Sequence, residues 1–136
     1  MSVSQPDAHA PDAPAWRRWG LWVLRALLAA AFAFAGGMKL LAAPDMVAMF
    51  DAIGFGQGFR VLTGVLEVSG AAMVLIPATA FPGALLLACI MAGAIATHVA
   101  LIGGSFVPAL VLGLVAAIVA WGTAPRRPDT GSRNPS

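Results

Sequence analysis

Three ionisable side chains lie in long apolar stretches of this sequence: Lys39, Glu67 and His98. Between Arg60 and Arg126, Glu67 is the only acidic or basic residue apart from the histidine. A charged side chain in hydrocarbon costs about 2.5–3.5 kcal/mol even on the insertion scales that give low values. Such residues are therefore expected to have an ionic partner, a path to water, or a role in proton transfer or ligand binding.

Two interpretations of these residues follow from their chemistry. A glutamate and a histidine with Lys39 beside them could relay a proton or bind a polar headgroup, with Thr63 and Thr97 completing a candidate polar site. Alternatively, Lys39 and Glu67 form an ion pair, with His98 hydrogen-bonded nearby, that only holds helices in register. The sequence leaves both open. One glutamate and one histidine are too few ligands for a zinc or copper site, so no metal is predicted.

The composition is that of an integral membrane protein. Of 136 residues, 60% are hydrophobic and only 10% are charged, whereas soluble domains have about 25% charged residues. The net charge of +2 does not indicate nucleic-acid binding, because the basic residues lie at the ends of apolar runs, where they set membrane orientation. The expected partner is membrane lipid. The single cysteine, Cys89, excludes an internal disulfide and a CxxC motif.

The apolar runs predict an all-α polytopic membrane protein with four transmembrane helices in a bundle, since about 20 residues cross the hydrocarbon core. Residues 20–123 form the predicted membrane domain, between disordered cytoplasmic tails at 1–19 and 124–136. The predicted spans are about 21–41, 61–76, 83–102 and 106–122. The first span also has features of a cleavable signal peptide, which is an alternative.

A short amphipathic helix is predicted between the first two spans. Its apolar residues follow the spacing i, i+3, i+4, i+7 and are Met46, Met49, Phe50 and Ile53. Pro44 suits the first turn of such a helix, and the glycines that follow Ile53 end it. We expect this helix to lie along the membrane surface.

Arginines predict the orientation and the depth of the candidate site. They precede the first span and follow the last, so both termini are predicted to be cytoplasmic in a bacterial inner membrane. At a rise of 1.5 Å per residue, Glu67 lies about 9 Å and His98 about 6 Å below the outer boundary, where Lys39 is located. All three side chains are therefore expected to meet in one outer layer.

With these residues identified, the chain resembles the DoxX-like family of small bacterial membrane proteins. The resemblance covers about residues 24–122. It rests on Arg25-Ala-Leu-Leu, Phe34-Ala-Gly-Gly-Met-Lys39-Leu-Leu, Leu62-Thr63-Gly64-Val-Leu-Glu67-Val-Ser-Gly70 and Gly93-Ala-Ile-Ala-Thr97-His98. It implies a four-helix bundle with an uncleaved first span. Some relatives are linked to quinone-dependent sulfur oxidation or to membrane redox complexes that detoxify oxidants.

The predicted function is therefore a quinone-linked or accessory membrane subunit of a redox system, with quinone as the implied cofactor and an oxidoreductase subunit as the implied partner. The alternatives are a small proton-coupled solute transporter, with Glu67 as the coupling carboxylate, and a non-catalytic membrane scaffold. A homodimer is also predicted, because four short helices offer little interior and stripes of alanine offer contact faces. Whether the chain is itself an enzyme does not follow from the sequence.

Overall fold

Helices joined by short turns make up residues 12–127, the part of the chain that the computed structural model describes. The α-helices are α1 (Ala15–Leu40), α2 (Pro44–Ile53), α3 (Gln57–Leu75), α4 (Ala80–Thr97) and α5 (Val107–Thr123). Within residues 12–127 there is no β-strand, which agrees with the predicted all-α class. Three segments are long and apolar enough to cross a membrane, and α5 is a shorter apolar helix. The three are Ala15–Leu40, Gln57–Leu75 and Pro77–Ile102.

The first and third helices begin earlier than the predicted spans. Residues 15–19, predicted as part of a disordered tail, form the first turns of α1, which follows Pro14 directly. Helix α3 starts at Gln57 because Gly56 supplies a backbone turn with φ of 83°. The polar residues Gln57 and Arg60 therefore belong to the helix and not to a loop. The predictions for residues 1–11 and 128–136 lie outside the described residues.

Helix α4 differs from the predicted third span at both ends. A 3-10 turn, Pro77–Thr79, leads directly into the helix, and Pro82 lies in its first turn, where proline removes no intrahelical hydrogen bond. At the other end the helix widens into a π-helical turn, His98–Ile102, which the sequence pattern did not indicate. Such turns occur mostly as single interruptions, often at functional sites.

The predicted short helix is confirmed as α2. Pro44 is in its first turn, and Gly54 ends it with a left-handed φ of 84°, a conformation that glycine adopts without steric strain. Its apolar side chains turn towards the rest of the protein, where they line a cavity described below. They are Met46, Met49, Phe50 and Ile53.

The helices pack mainly as two pairs, α1 with α3 and α4 with α5, and α3 joins the pairs by its contact with α4. The Arg25 end is where α3 and α5 end and α4 begins. There Gly83 lies against Met73, and Gly122 against Leu21, so the pairs are close together. The Lys39 end is the opposite end, where α1 and α4 finish and α3 and α5 begin. There the pairs enclose a cavity.

Arg25, on α1, is buried. Its side chain is 5% exposed, its guanidinium carbon lies 3.9 Å from the centre of the Trp22 ring, and its Nε donates to the Val74 carbonyl at 2.7 Å. Val74 is in the last turn of α3, where carbonyl groups have no partner within the helix. Such a carbonyl is costly to bury in hydrocarbon, so Arg25 is held by the end of α3 instead of by water.

Candidate functional site

An ion pair between α1 and α3 is the centre of the candidate site. The Lys39 ammonium donates to both carboxylate oxygens of Glu67, at 2.9 Å and 3.1 Å. The Glu67 side chain is 2% exposed and the Lys39 side chain 13%. Two of the predicted site residues are therefore in direct contact, and the carboxylate depends on one lysine for its charge partner in a buried setting.

Two glycines let α1 and α3 approach closely enough for this contact. A methyl group added at Gly36 would lie 2.8 Å from the Gly64 carbonyl oxygen, and one added at Gly64 would lie 3.1 Å from the Gly36 carbonyl oxygen. Gly36 lies one turn before Lys39, and Gly64 one turn before Glu67. Small residues at such crossings are the usual basis of close helix contact in membranes.

Arg60 joins the same region to α2. One of its terminal nitrogens donates to the Lys39 carbonyl, and its Nε donates to the Gln57 side-chain oxygen at 2.5 Å. The Gln57 amide in turn donates to the Val47 carbonyl at 3.1 Å and to an Asp51 carboxylate oxygen at 2.6 Å. A positive charge beside the last carbonyls of α1 is favourable. This chain of hydrogen bonds fixes α2 over the Lys39 end.

Replacing Arg60 with methionine should loosen α2 selectively. The Gln57 oxygen loses its donor, and the Lys39 carbonyl loses one of two donors, because the Ala42 N–H also donates to it at 3.2 Å. Gln57 is then held only by its bonds to α2 and no longer by Arg60. We expect amide hydrogen exchange over residues 44–53 to accelerate by about five- to twelvefold, as the loss of one partly buried hydrogen bond worth about 1–1.5 kcal/mol implies.

Exchange in α5 should change little in the Arg60→Met protein. The matched control is Arg17→Met, because Arg17 is exposed near the start of α1. Uniform acceleration over all helices would show that Arg60 supports the whole fold and not α2 in particular.

His98 lies at the start of the π-helical turn and shares a cavity with Lys39 and Glu67 without bonding to them. Its Nδ1 is 3.1 Å from the Gly103 carbonyl oxygen. Within residues 12–127 no hydrogen bond joins the imidazole to Lys39 or Glu67. The π-helical turn brings the Gly103 carbonyl within reach of the ring, so the histidine forms its hydrogen bond within its own segment of the chain.

The two predicted threonines lie on the cavity wall with their hydroxyl protons already in use. Thr63 donates to the Phe59 carbonyl at 2.8 Å, and Thr97 donates to the Gly93 carbonyl at 2.9 Å. In both cases the acceptor is four residues earlier in the same helix. The hydroxyl oxygens remain able to accept a hydrogen bond.

The cavity at the Lys39 end is lined mainly by apolar side chains, with a few polar ones among them. Its volume is about 560 Å³, which lies within the range of pockets that bind small molecules. All five predicted site residues line it, and Asp45 from the start of α2 does so too. The apolar walls come from all five α-helices and include Phe32, Phe50, Phe59, Leu66, Met91 and Leu112. Such a cavity suits a molecule with an apolar body and a polar ring or head.

Metal binding has no visible basis in the described part of the chain. Residues 12–127 contain no group of three or more histidine, cysteine, aspartate or glutamate side chains placed to hold an ion. Cys89 is exposed on α4 and is free.

A comparison with family models identifies the chain. The model of the DoxX-like family matches residues 23–123, which is most of the sequence. The protein belongs to the DoxX-like family. Comparisons with curated proteins and with solved structures gave no match. The match begins within α1, before Arg25, and ends with α5, so it covers most of α1, all of α2–α5 and every residue of the candidate site of this DoxX-like protein.

Proposed function

We propose that this DoxX-like protein is a quinone-linked membrane subunit of a redox system. The observation that supports the proposal is the cavity at the Lys39 end, because its size and the residues that line it suit a quinone. Aromatic and aliphatic walls suit an apolar ring with a hydrocarbon tail, and the few polar side chains on the walls offer partners for the ring oxygens. The quinone would supply the electron chemistry, and the protein would bind and orient it.

Access from the lipid supports the same proposal. Phe34 lines the cavity, and yet 70% of its side chain is exposed on α1. The cavity therefore extends to a surface of α1 that faces hydrocarbon when the protein is in a membrane. A lipid-soluble carrier could enter sideways with its tail left between the lipid chains.

The proposal places the protein in a bacterial inner membrane with four spans and both termini in the cytoplasm. Helix α5 has 17 residues, the shortest length that spans a bilayer, for which about 17–25 residues are needed. Because α5 packs along α4, the two helices would cross the membrane side by side. A second copy or an oxidoreductase subunit would find exposed small residues at the end of α4 and in the π-helical turn, such as Ala96 and Ala100.

A transporter that uses Glu67 to carry protons is a weaker candidate. Both carboxylate oxygens are engaged by Lys39, so Glu67 would have to leave this pair during each cycle. A scaffold without a ligand would have no use for a cavity of this size, and it becomes an outcome of the test that follows.

Filling the cavity should remove the quinone. Ala94 lies on the cavity wall of α4, and Ala94→Phe places a ring in the space. We expect wild-type protein purified from bacterial membranes in mild detergent to retain quinone in stoichiometric amounts. The Ala94→Phe protein should retain less than about a tenth of that, which corresponds to a loss of at least about 1.4 kcal/mol in binding.

The matched control is Ala92→Phe, the same substitution two residues earlier on the exposed face of α4. It should retain quinone like the wild type. The unfolding midpoints of both variants are compared with that of the wild type, which shows whether a loss of quinone is caused by unfolding. Equal quinone contents in all three proteins, or none in any of them, would contradict the proposed function and favour a scaffold.

A further inference from the structure

The polar side chains that line the cavity offer many more hydrogen-bond acceptors than donors to a bound molecule. Thr63 and Thr97 have donated their hydroxyl protons to backbone carbonyls and offer oxygens only. These two side chains lie on different helices, α3 and α4, so acceptors face the space from both walls. A hydroxyl whose proton is engaged can still accept through its lone pairs.

His98 adds another acceptor. A carbonyl oxygen cannot donate, so the contact between His98 Nδ1 and the Gly103 carbonyl requires the proton on Nδ1. In the neutral imidazole the other ring nitrogen, Nε2, then carries a lone pair and no proton. His98 lines the cavity, and Nε2 is the nitrogen left for a bound molecule.

The ion pair leaves few N–H groups of Lys39 free to donate to a bound molecule. The Lys39 ammonium has three N–H groups, and it directs hydrogen bonds to both oxygens of Glu67. The Glu67 oxygens keep further lone pairs, which are acceptors. A ligand whose polar atoms were all carbonyl oxygens would find at most the remaining ammonium proton.

We infer that this cavity selects ligands that donate hydrogen bonds from a ring, namely hydroxyl-bearing aromatic rings such as a quinol or a phenol, over the corresponding carbonyl or ether compounds. The inference rests on the proposed function, since it concerns the same cavity, and it adds the chemical form of the ligand. The reduced, hydroxyl-bearing form of a quinone pair would bind more tightly than the oxidised form. An acceptor that the bound ligand covers and leaves without a donor is penalised, and this penalty is the origin of the selectivity.

The test compares probes that differ only in their ability to donate. They are a long-chain alkylphenol and the methyl ether of the same phenol, with the alkylbenzene of the same chain as a reference for apolar binding. Binding to detergent-solubilised protein is measured by equilibrium dialysis at about pH 8, where an ordinary imidazole is neutral. Uptake by the Ala94→Phe protein, whose cavity is filled, is subtracted as the contribution of micelles.

The phenol should bind about five- to twelvefold more tightly than its ether, because one hydrogen bond to the bound ligand is worth about 1–1.5 kcal/mol. Thr63→Val and Thr97→Val retain the side-chain shape and remove the acceptor oxygens. Together with His98→Phe they should reduce the preference for the phenol and leave the binding of the alkylbenzene unchanged.

The outcomes separate this inference from the proposed function. If phenol, ether and alkylbenzene bind equally, and all three are lost in Ala94→Phe, the cavity binds apolar ligands but the donor preference is wrong. If no probe binds the wild type above the Ala94→Phe level, the proposed function and the inference both fail. The comparison of probes in the wild type does not depend on the folding of the threonine and histidine variants.

Discussion

Replacing Lys39 with methionine is expected to be the most destabilising single substitution at the Lys39 end. The side chain of Glu67 is 2% exposed and has Lys39 as its ionic partner. Removing the cation leaves a buried carboxylate without compensation, and breaking buried pairs in this way destabilises by about 3–5 kcal/mol. The measurement is the free energy of unfolding in mixed detergent micelles.

A double-mutant cycle distinguishes the loss of pairing from the loss of packing. Glu67→Gln should be milder, because the Lys39 side chain is 13% exposed and can extend towards the membrane boundary. Lys39→Met combined with Glu67→Leu removes both charges and should recover most of the lost stability, as happens when a buried pair is replaced by apolar residues. If the free energy of unfolding of Lys39→Met lies within about 0.5 kcal/mol of the wild-type value, the ion pair does not contribute to stability, and the prediction that Glu67 is a buried carboxylate paired with Lys39 is wrong.

Replacing Gly36 with valine should be nearly as damaging, for a steric reason. A Cβ at this position would lie 2.8 Å from the Gly64 carbonyl oxygen and 2.8 Å from a methyl group of Val68. Backbone cannot move aside as a flexible side chain can, so α1 and α3 must separate. We expect a loss of about 3 kcal/mol, the upper part of the usual range for overpacking.

The next residue in the chain provides the control. A Cβ at Gly37 meets no atom within 4 Å, so Gly37→Val should change the free energy of unfolding by less than about 1 kcal/mol. The two variants have the same composition and differ only in the face of α1 that carries the added side chain. Equal losses in both would mean that α1 and α3 do not cross at Gly36.

The pairing of Lys39 with Glu67 follows from simple counting along helices. The helical rise places Lys39 and Glu67 near one level when α1 and α3 run in opposite directions, and a shared level permits the ion pair that the structure contains. Pro44 and the glycines after Ile53 likewise predict the bounds of α2. Its apolar spacing predicts which side chains share one face, but not that this face lines a cavity. These features depend on the period of the helix and on residue type, which the sequence contains.

The roles of the arginines could not be predicted in the same way. Arg25 and Arg60 each donate to a carbonyl in the last turn of another helix, and the partners lie 49 and 21 residues away in the chain. Spacing within one helix does not indicate which helix end will lie beside an arginine. The available signal is general: helix ends buried in hydrocarbon need donors, and a nearby arginine can supply them.

The position of His98 depends on a local irregularity that periodicity does not reveal. A regular α-helix to Ile102 predicts that His98 approaches Glu67, whereas the π-helical turn brings its Nδ1 to the Gly103 carbonyl. Gly103 has a φ of 65° and Gly104 a φ of 79°, conformations that favour glycine and allow the chain to turn there. The Gly103-Gly104 pair indicates where the helix ends, but it does not indicate that the last turn is π-helical.

The most direct test of quinone binding in the cavity at the Lys39 end is to locate a bound quinone by photolabelling. The protein in lipid nanodiscs is incubated with an azido-quinone, irradiated and digested, and the labelled peptides are identified by mass spectrometry. We expect labels on α2 and on the last turns of α4, around Met46, Met49 and Thr97, with labelling suppressed in Ala94→Phe and retained in Ala92→Phe. Labels confined to the tryptophans near the start of α1, or spread over lipid-facing surfaces equally in both variants, would contradict it.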